Sequence, residues 1–252
     1  METHKNAKNM KQLQLFNDKE MYALSHTCNG KPIEWAKKTN SSQYRQKQYD
    51  NLLFTEGMSF TSDLGLPILH PYTLSTDFEI YPFKDRHKLD GKGQAIQFFT
   101  NDYSFDNLLW RNLGKTTMEL YKFHCVFAPD YSLFVDMPFA YNLINLYKSR
   151  FVGAYWQLCG YNVIPTASWG NADSFRYCLD GLPTESVIAV CGTGHDWCVS
   201  ARRLWEYGMR EVEARLRPTM VFVYGAPTEI PGFTTPIKFI EDYITRKFRK
   251  AI

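Results

Sequence analysis

Phe123-His124-Cys125-Val126-Phe127-Ala128 has strand composition and stops at Pro129-Asp130. A long helical periodicity follows, and a second strand, Tyr161-Asn162-Val163-Ile164, ends at Pro165-Thr166-Ala167-Ser168-Trp169. Residues 123–169 therefore read as strand, helix, strand, with polar residues at both carboxyl ends. In α/β folds ligand sites form on that edge, because its loops are open to solvent while the strands behind them hold them rigid. The stretch predicts a site-bearing α/β domain.

The same rhythm extends in both directions. Upstream, Ala95-Ile96-Gln97-Phe98-Phe99 ends at Thr100-Asn101-Asp102, with Ser104 placed to cap a helix over 105–112. Between the two central strands, Leu143, Ile144, Tyr147, Phe151, Ala154, Tyr155 and Leu158 recur at three- and four-residue steps, opened by Pro138 and closed by Gly160. Downstream, Val187-Ile188-Ala189-Val190 is the continuous apolar run of a strand covered on both faces, and it stops at Gly192-Thr193-Gly194-His195. A helix to about residue 216 leads to Met220-Val221-Phe222-Val223-Tyr224, and an amphipathic helix over 237–248 is expected to finish the chain.

Strand starts near 95, 123, 162, 187 and 220 leave the spacing that parallel βα units need for crossover helices. Pro67, Pro71 and Pro82 argue for an edge strand or irregular lid ahead of them. The expected fold is α/β, a partial or complete β/α (TIM-like) barrel over 57–252 with a basic, mostly helical extension over 1–56. A barrel is favoured over an open doubly wound sheet because polar endings recur on every strand.

Composition excludes several classes. With 44% hydrophobic and 22% charged residues the chain of 252 is neither disordered nor fibrous. The 16% aromatic share fits core filler first, with stacking platforms as the alternative. A net charge of +3 is too small for a nucleic-acid footprint over the whole surface. The first fifty residues, with nine Lys or Arg against five Asp or Glu, are the basic part. Six cysteines without a close CxxC pair read as reduced thiols, and neither a signal peptide nor a membrane span is apparent, so the expected location is cytoplasmic.

Asp102, Asp130 and Asp136 are the candidates for chemistry. Two carboxylates brought together in a partly dry cleft repel, so one keeps its proton while the other ionises, which sets up an acid and a base. Helix capping is the alternative for Asp102 and Asp136. His195 is a candidate acid or base. Gly192, Thr193 and Gly194 stand where backbone N–H groups cradle an anion or make a tight turn, without a P-loop or dinucleotide fingerprint. Cys191, His195 and Cys198 have a zinc-like spacing, but a strand cysteine points along the sheet normal, so no metal site is assigned. Trp169 and Tyr224 offer stacking faces, and Ser132 and Thr166 hydrogen bonds. No cofactor is called for.

The blocks Phe98-Phe99-x3-Tyr103-x-Phe105, Ala128-Pro129-Asp130-Tyr131-Ser132-Leu133-Phe134-Val135-Asp136-Met137-Pro138, Gly153-Ala154-Tyr155-Trp156-Gln157 and Asp180-Gly181-Leu182-Pro183 resemble an uncharacterised domain family of bacteria, phages and mobile elements. That resemblance implies a phage-associated or mobile-element protein and no particular activity. A fainter similarity, through Asp130-Tyr131-Ser132-Leu133-Phe134 and Cys191-Gly192-Thr193-Gly194, points to the transfer RNA guanine transglycosylase barrel. The chain departs from that family in lacking its zinc-binding cysteine cluster and the later strand that bears its nucleophilic aspartate. Together these readings lead to an enzyme acting on a nucleoside, nucleotide or nucleic-acid base, with a non-catalytic nucleic-acid- or protein-binding regulator as the rival. Sequence alone leaves the oligomeric state open.

Overall fold

The computed structural model describes residues 27–28, 31–32, 42–195 and 198–242. The chain divides into two units, Met1–Leu53 and Phe54–Ile252. In the first, β1 (Thr27–Cys28) and β2 (Lys31–Pro32) form a short antiparallel pair, and α1 (Ser42–Tyr49) is a polar helix that buries no side chain. Residues 27–28 and 31–32 are strand within the extension over 1–56 that was expected to be mostly helical. The basic residues Lys5, Lys8, Lys11, Lys37 and Lys38 lie outside the described residues.

The second unit contains the α/β fold. Its strands are β3 (Glu79–Pro82), β4 (Gln94–Gln97), β5 (Cys125–Phe127), β6 (Val163–Ile164), β7 (Thr166–Ala167), β8 (Val187–Cys191), β9 (Met220–Tyr224) and β10 (Ile237–Ile240). They form two four-stranded parallel sheets, β3-β4-β5-β6 and β7-β8-β9-β10, each ordered as in the sequence. The helices are α2 (Asp106–Trp110), α3 (Leu113–Leu120), α4 (Phe139–Leu158) and α5 (Val199–Leu216).

Pro165 explains why there are two sheets. It has no N–H to donate to a ladder, so the extended segment 163–167 pairs with β5 before the proline and with β8 after it. The Pro165 carbonyl still accepts from Ala189 N at 2.8 Å, which keeps the handover tight. Of the partial or complete barrel expected, a closed sheet is not found: among the described residues β3 and β10 are outer strands of different sheets. Pro82 sits at the end of such an outer strand, where its missing donor costs little.

Side chains alternate along each strand between separate cores, as a two-residue period requires. Ala95, Cys125, Phe127, Val187, Ala189, Phe222 and Tyr224 share one apolar cluster that both sheets line. Ile96, Val126 and Val163 pack with α2, α3 and α4 on the opposite face of the first sheet, and Ile188, Val190, Val221 and Val223 with α5 on that of the second. Aromatic rings fill the shared cluster, with Phe99 stacked on Tyr224 at 5.1 Å and Phe127 tilted against Phe222 at 5.6 Å.

Two further expectations are corrected. Residues 237–240 form β10, a parallel partner of β9, where a helix was expected; the pattern Ile-Lys-Phe-Ile serves a two-residue period as well as a helical one. In α4, Ile144 and Leu158 are about half exposed, and Asn142, Asn145, Ser149 and Arg150 are buried. The polar residues take the inner stripe because the loop after β5 and the backbone around residues 166 and 178–180 supply their partners.

Gly208, inside α5, leaves room for Trp169. A Cβ there would stand 2.1 Å from the Trp169 ring. Alanine improves helix propensity by about 1 kcal/mol, but forcing an indole out of a packed site costs roughly 1–3 kcal/mol. Gly208→Ala should therefore destabilise the protein by up to about 2 kcal/mol in urea unfolding, and a gain in stability would refute this close packing.

Candidate functional site

A pocket of about 510 Å³ opens where the loops after β4 and β5 meet the first half of α4. Asn101, Asp102 and Tyr103 line it from one loop, Tyr131, Ser132 and Phe134 from the other, Asp106 from α2, and Tyr141, Asn145 and Lys148 from α4.

The two loops are tied together by a carboxylate. Asp102 accepts from Ser132 N at 3.1 Å through Oδ2 and from Ser132 Oγ at 3.0 Å through Oδ1. It caps no helix. Burial raises the Asp102 pKa, the Ser132 bonds hold it down, the nearby charge of Asp106 raises it and Lys148 lowers it. Asn142 fixes the second loop by accepting from Phe134 N at 3.0 Å and donating to Phe134 O at 2.8 Å, and Asn145 Nδ2 donates to Ser132 O at 2.8 Å. Lys148 Nζ pairs with Asp106 at 2.8 Å and lies over the Tyr131 and Trp110 rings.

Asp130, in the loop after β5, does not line this pocket but is coupled to it through the charge of Asp102. It retains partial exposure, yet its Oδ1 is enclosed and has no hydrogen-bond partner among the described residues. Burial and then the charge of Asp102 push its pKa up to about 8, against the lowering effect of Arg150. At neutral pH Asp130 therefore keeps its proton, two strand-loop residues away from the Ser132 that binds Asp102. Arg150 is fully buried and donates to Asp180 O, Thr166 O and Cys178 O at 3.1, 3.0 and 2.8 Å. Cys191, at the end of β8, is pushed up to about 12 by burial and by the Asp130 charge.

The sequence-predicted residues fall into separate groups. Asp102 and Ser132 share the pocket, with Asp130 electrostatically coupled to Asp102. Asp136 is exposed in the loop before α4 and does not line the pocket. His195 is buried elsewhere, stacked on Trp205 at 4.5 Å, with Nδ1 against Gly192 O and Nε2 3.2 Å from Thr228 Oγ1. Gly192 N donates to Tyr224 O at 2.7 Å, so its N–H and carbonyl are both engaged within the protein. Thr193 Oγ1 lies 3.0 Å from Cys191 Sγ, and the exposed Gly194 turns with a positive φ. Thr166 Oγ1 donates to Ala128 O at 2.7 Å, joining β7 to the end of β5. Trp169 packs on α5, and Tyr224 belongs to the shared core.

Asp106, Asn145 and Lys148 escaped the sequence reading because they sit on helices, where charges and amides read as a solvated face. The signal that was present is the three-residue spacing of Asn142, Asn145 and Lys148, which places all three on one side of α4.

The sequence profile of DUF4417, a domain of unknown function, matches residues 58–242, a span that contains every pocket residue. The chain belongs to this family. Among curated proteins, the "Gene 1 protein" of Mycobacterium phage L5 is 38% identical over 133 residues, 53% of this chain and 58% of the phage protein. The "Gene 1 protein" of Mycobacterium phage D29 is 35% identical over 133 residues, covering 53% and 49% of the two chains. This DUF4417 chain thus matches about half the length of those relatives. No solved structure matches it. Among the described residues, no helix is long and apolar enough to cross a membrane.

Proposed function

We propose that the pocket after β4 and β5 binds a nucleoside or nucleobase, and that Asp130 and Asp102 act on its glycosidic bond as proton donor and base. The observation that carries this reading is the unequal carboxyl pair: Asp130, enclosed and holding its proton to about pH 8, beside Asp102, which is held by Ser132. A leaving base needs a proton as its C–N bond breaks, and an incoming water needs a proton acceptor. Carboxyl groups with separated pKa values meet both needs. Tyr103, Phe134 and Tyr141 give the pocket aromatic faces for a flat ring. Two sheets joined at Pro165 and sharing one inner cluster further support an open-barrel reading of the fold. The reading places the protein in the cytoplasm of a host cell.

Asp102→Asn tests it. Asparagine can still accept from Ser132, so the fold should be retained, whereas release of free base from a nucleoside should fall by roughly 100-fold or more. Measured by chromatography over a panel of ribo- and deoxyribonucleosides, unchanged turnover in this variant would remove Asp102 from the chemistry.

A second reading, a non-catalytic binding protein, is favoured by one feature. Val135, Met137, Phe139 and Ile144 expose apolar surface beside the pocket, more than a small-molecule site needs. Tight binding of nucleic acid or protein that survives the Asp102 and Asp130 substitutions would favour that reading.

A further inference from the structure

Lys148 shows how this pocket holds a positive charge. Its side chain is 19% exposed, and its ammonium pairs with Asp106 at 2.8 Å while lying 5.3 and 5.6 Å from the centroids of the Tyr131 and Trp110 rings. The carboxylate neutralises the charge, and the negative ring faces replace part of its hydration. The rest of the pocket has the same ingredients without the cation. Asp102 is partly buried and accepts from Ser132 N and Oγ, which are neutral, and among the described residues no Lys or Arg pairs with it. Tyr103, Phe134 and Tyr141 line the same pocket at 82%, 38% and 48% exposure, the last two with ring centroids 6.4 Å apart and planes tilted by 46°. Three open aromatic rings thus share a cavity with a carboxylate left without a counter-charge of its own.

We infer that the pocket takes a planar heteroaromatic cation, its ring stacked on Tyr103, Phe134 or Tyr141 and its positive charge set against Asp102. This inference rests on the nucleoside reading of the pocket and narrows it: the base is held in its positively charged form, which in the proposed chemistry is the base protonated for departure. The charge balance selects that class. Asp102 and Asp106 bring two negative charges against the single Lys148, so an anion such as phosphate is repelled, and a neutral ring would leave Asp102 uncompensated in a partly dry site. Burial first, and the Asp106 charge after it, make Asp102 harder to ionise against the help of its Ser132 bonds, and a ligand's positive charge lessens that cost. A cavity of about 510 Å³ also exceeds what a lone ammonium group fills, whereas it suits a ring with its sugar.

Calorimetric titration with charged and neutral ligands of one shape tests the charge requirement. One pair is 1-methyladenosine, a cation at neutral pH, and its uncharged isomer N6-methyladenosine; the other is nicotinamide methylated on its ring nitrogen and the uncharged isostere meta-toluamide. Tetramethylammonium and benzoate complete the set. The parent should bind the charged member of each pair at least tenfold more tightly, and Asp102→Asn should reduce that preference to about threefold or less, with thermal unfolding showing that the variant is folded. The comparison within the parent requires no variant, so it decides even if Asp102→Asn fails to fold. Equal affinity for charged and neutral members would overturn the inference, as would a preference that persists in folded Asp102→Asn. Benzoate or tetramethylammonium bound as tightly as the ring cations would overturn it too. If the nicotinamide cation is preferred and neither nucleoside binds, the cation assignment holds while the nucleoside reading fails. If the two nucleosides bind alike, the nucleoside reading stands and the cation assignment fails. Binding of none of these probes would remove both.

Discussion

Replacing Arg150 with alanine should cost the fold about 3–5 kcal/mol, the scale seen when one partner of a fully buried charged network is removed. The guanidinium lies at 0% exposure and donates to three main-chain carbonyls, from residues 166, 178 and 180. Those acceptors belong to the backbone, so no second mutation can remove them with their donor. Truncation leaves them enclosed and unsatisfied and opens a cavity at the middle of α4. Arg150→Lys should recover only a small part of the loss, because a single ammonium cannot span carbonyls arranged around a planar fork. Urea unfolding followed by circular dichroism would give both values. A loss below about 1 kcal/mol for alanine would contradict the structural role assigned here.

Arg150 also shows where reading the sequence stops. Parallel βα units were legible from the strands, because Val187-Ile188-Ala189-Val190 and its counterparts are runs that only a doubly covered sheet accommodates. Asp102 and Ser132 were legible as strand-end polar residues. Their bond was not, since a partner thirty positions away leaves no mark on local composition. Pro165 was visible as a strand terminator. Its effect of dividing one extended segment between two sheets depends on which neighbours flank it, and that decides against closure of the partial or complete barrel that recurring polar strand ends favoured. Asp136 and His195 looked equivalent to Asp130 because each follows or interrupts an apolar run. Only packing distinguishes an exposed loop acid and a histidine bonded on both ring nitrogens from a carboxyl with one oxygen enclosed and without a hydrogen-bond partner.

That enclosed carboxyl predicts an unusual pH dependence. Asp130 titrates near 8 in the folded chain, against about 3.9 for an unfolded aspartate. Between those values the folded state holds a proton that the unfolded state has released, so raising the pH favours unfolding. The sign is opposite to that of a salt-bridged aspartate, whose contribution is lost on acidification. The Asp130 contribution is complete below about pH 4, falls through the interval to about pH 8, and levels off above it, for a total on the order of 5 kcal/mol. Asp130→Asn removes the titration and keeps a neutral group of similar size. The variant should therefore show a flatter stability profile from pH 5 to 8 and should exceed the parent's stability at the alkaline end. Parallel stability curves for the two proteins would show that Asp130 ionises normally and would remove the proton donor from the proposed chemistry. If the curves diverge as expected, the same group should set an alkaline limb near pH 8 in the rate of base release, since deprotonation removes the acid that the leaving base requires.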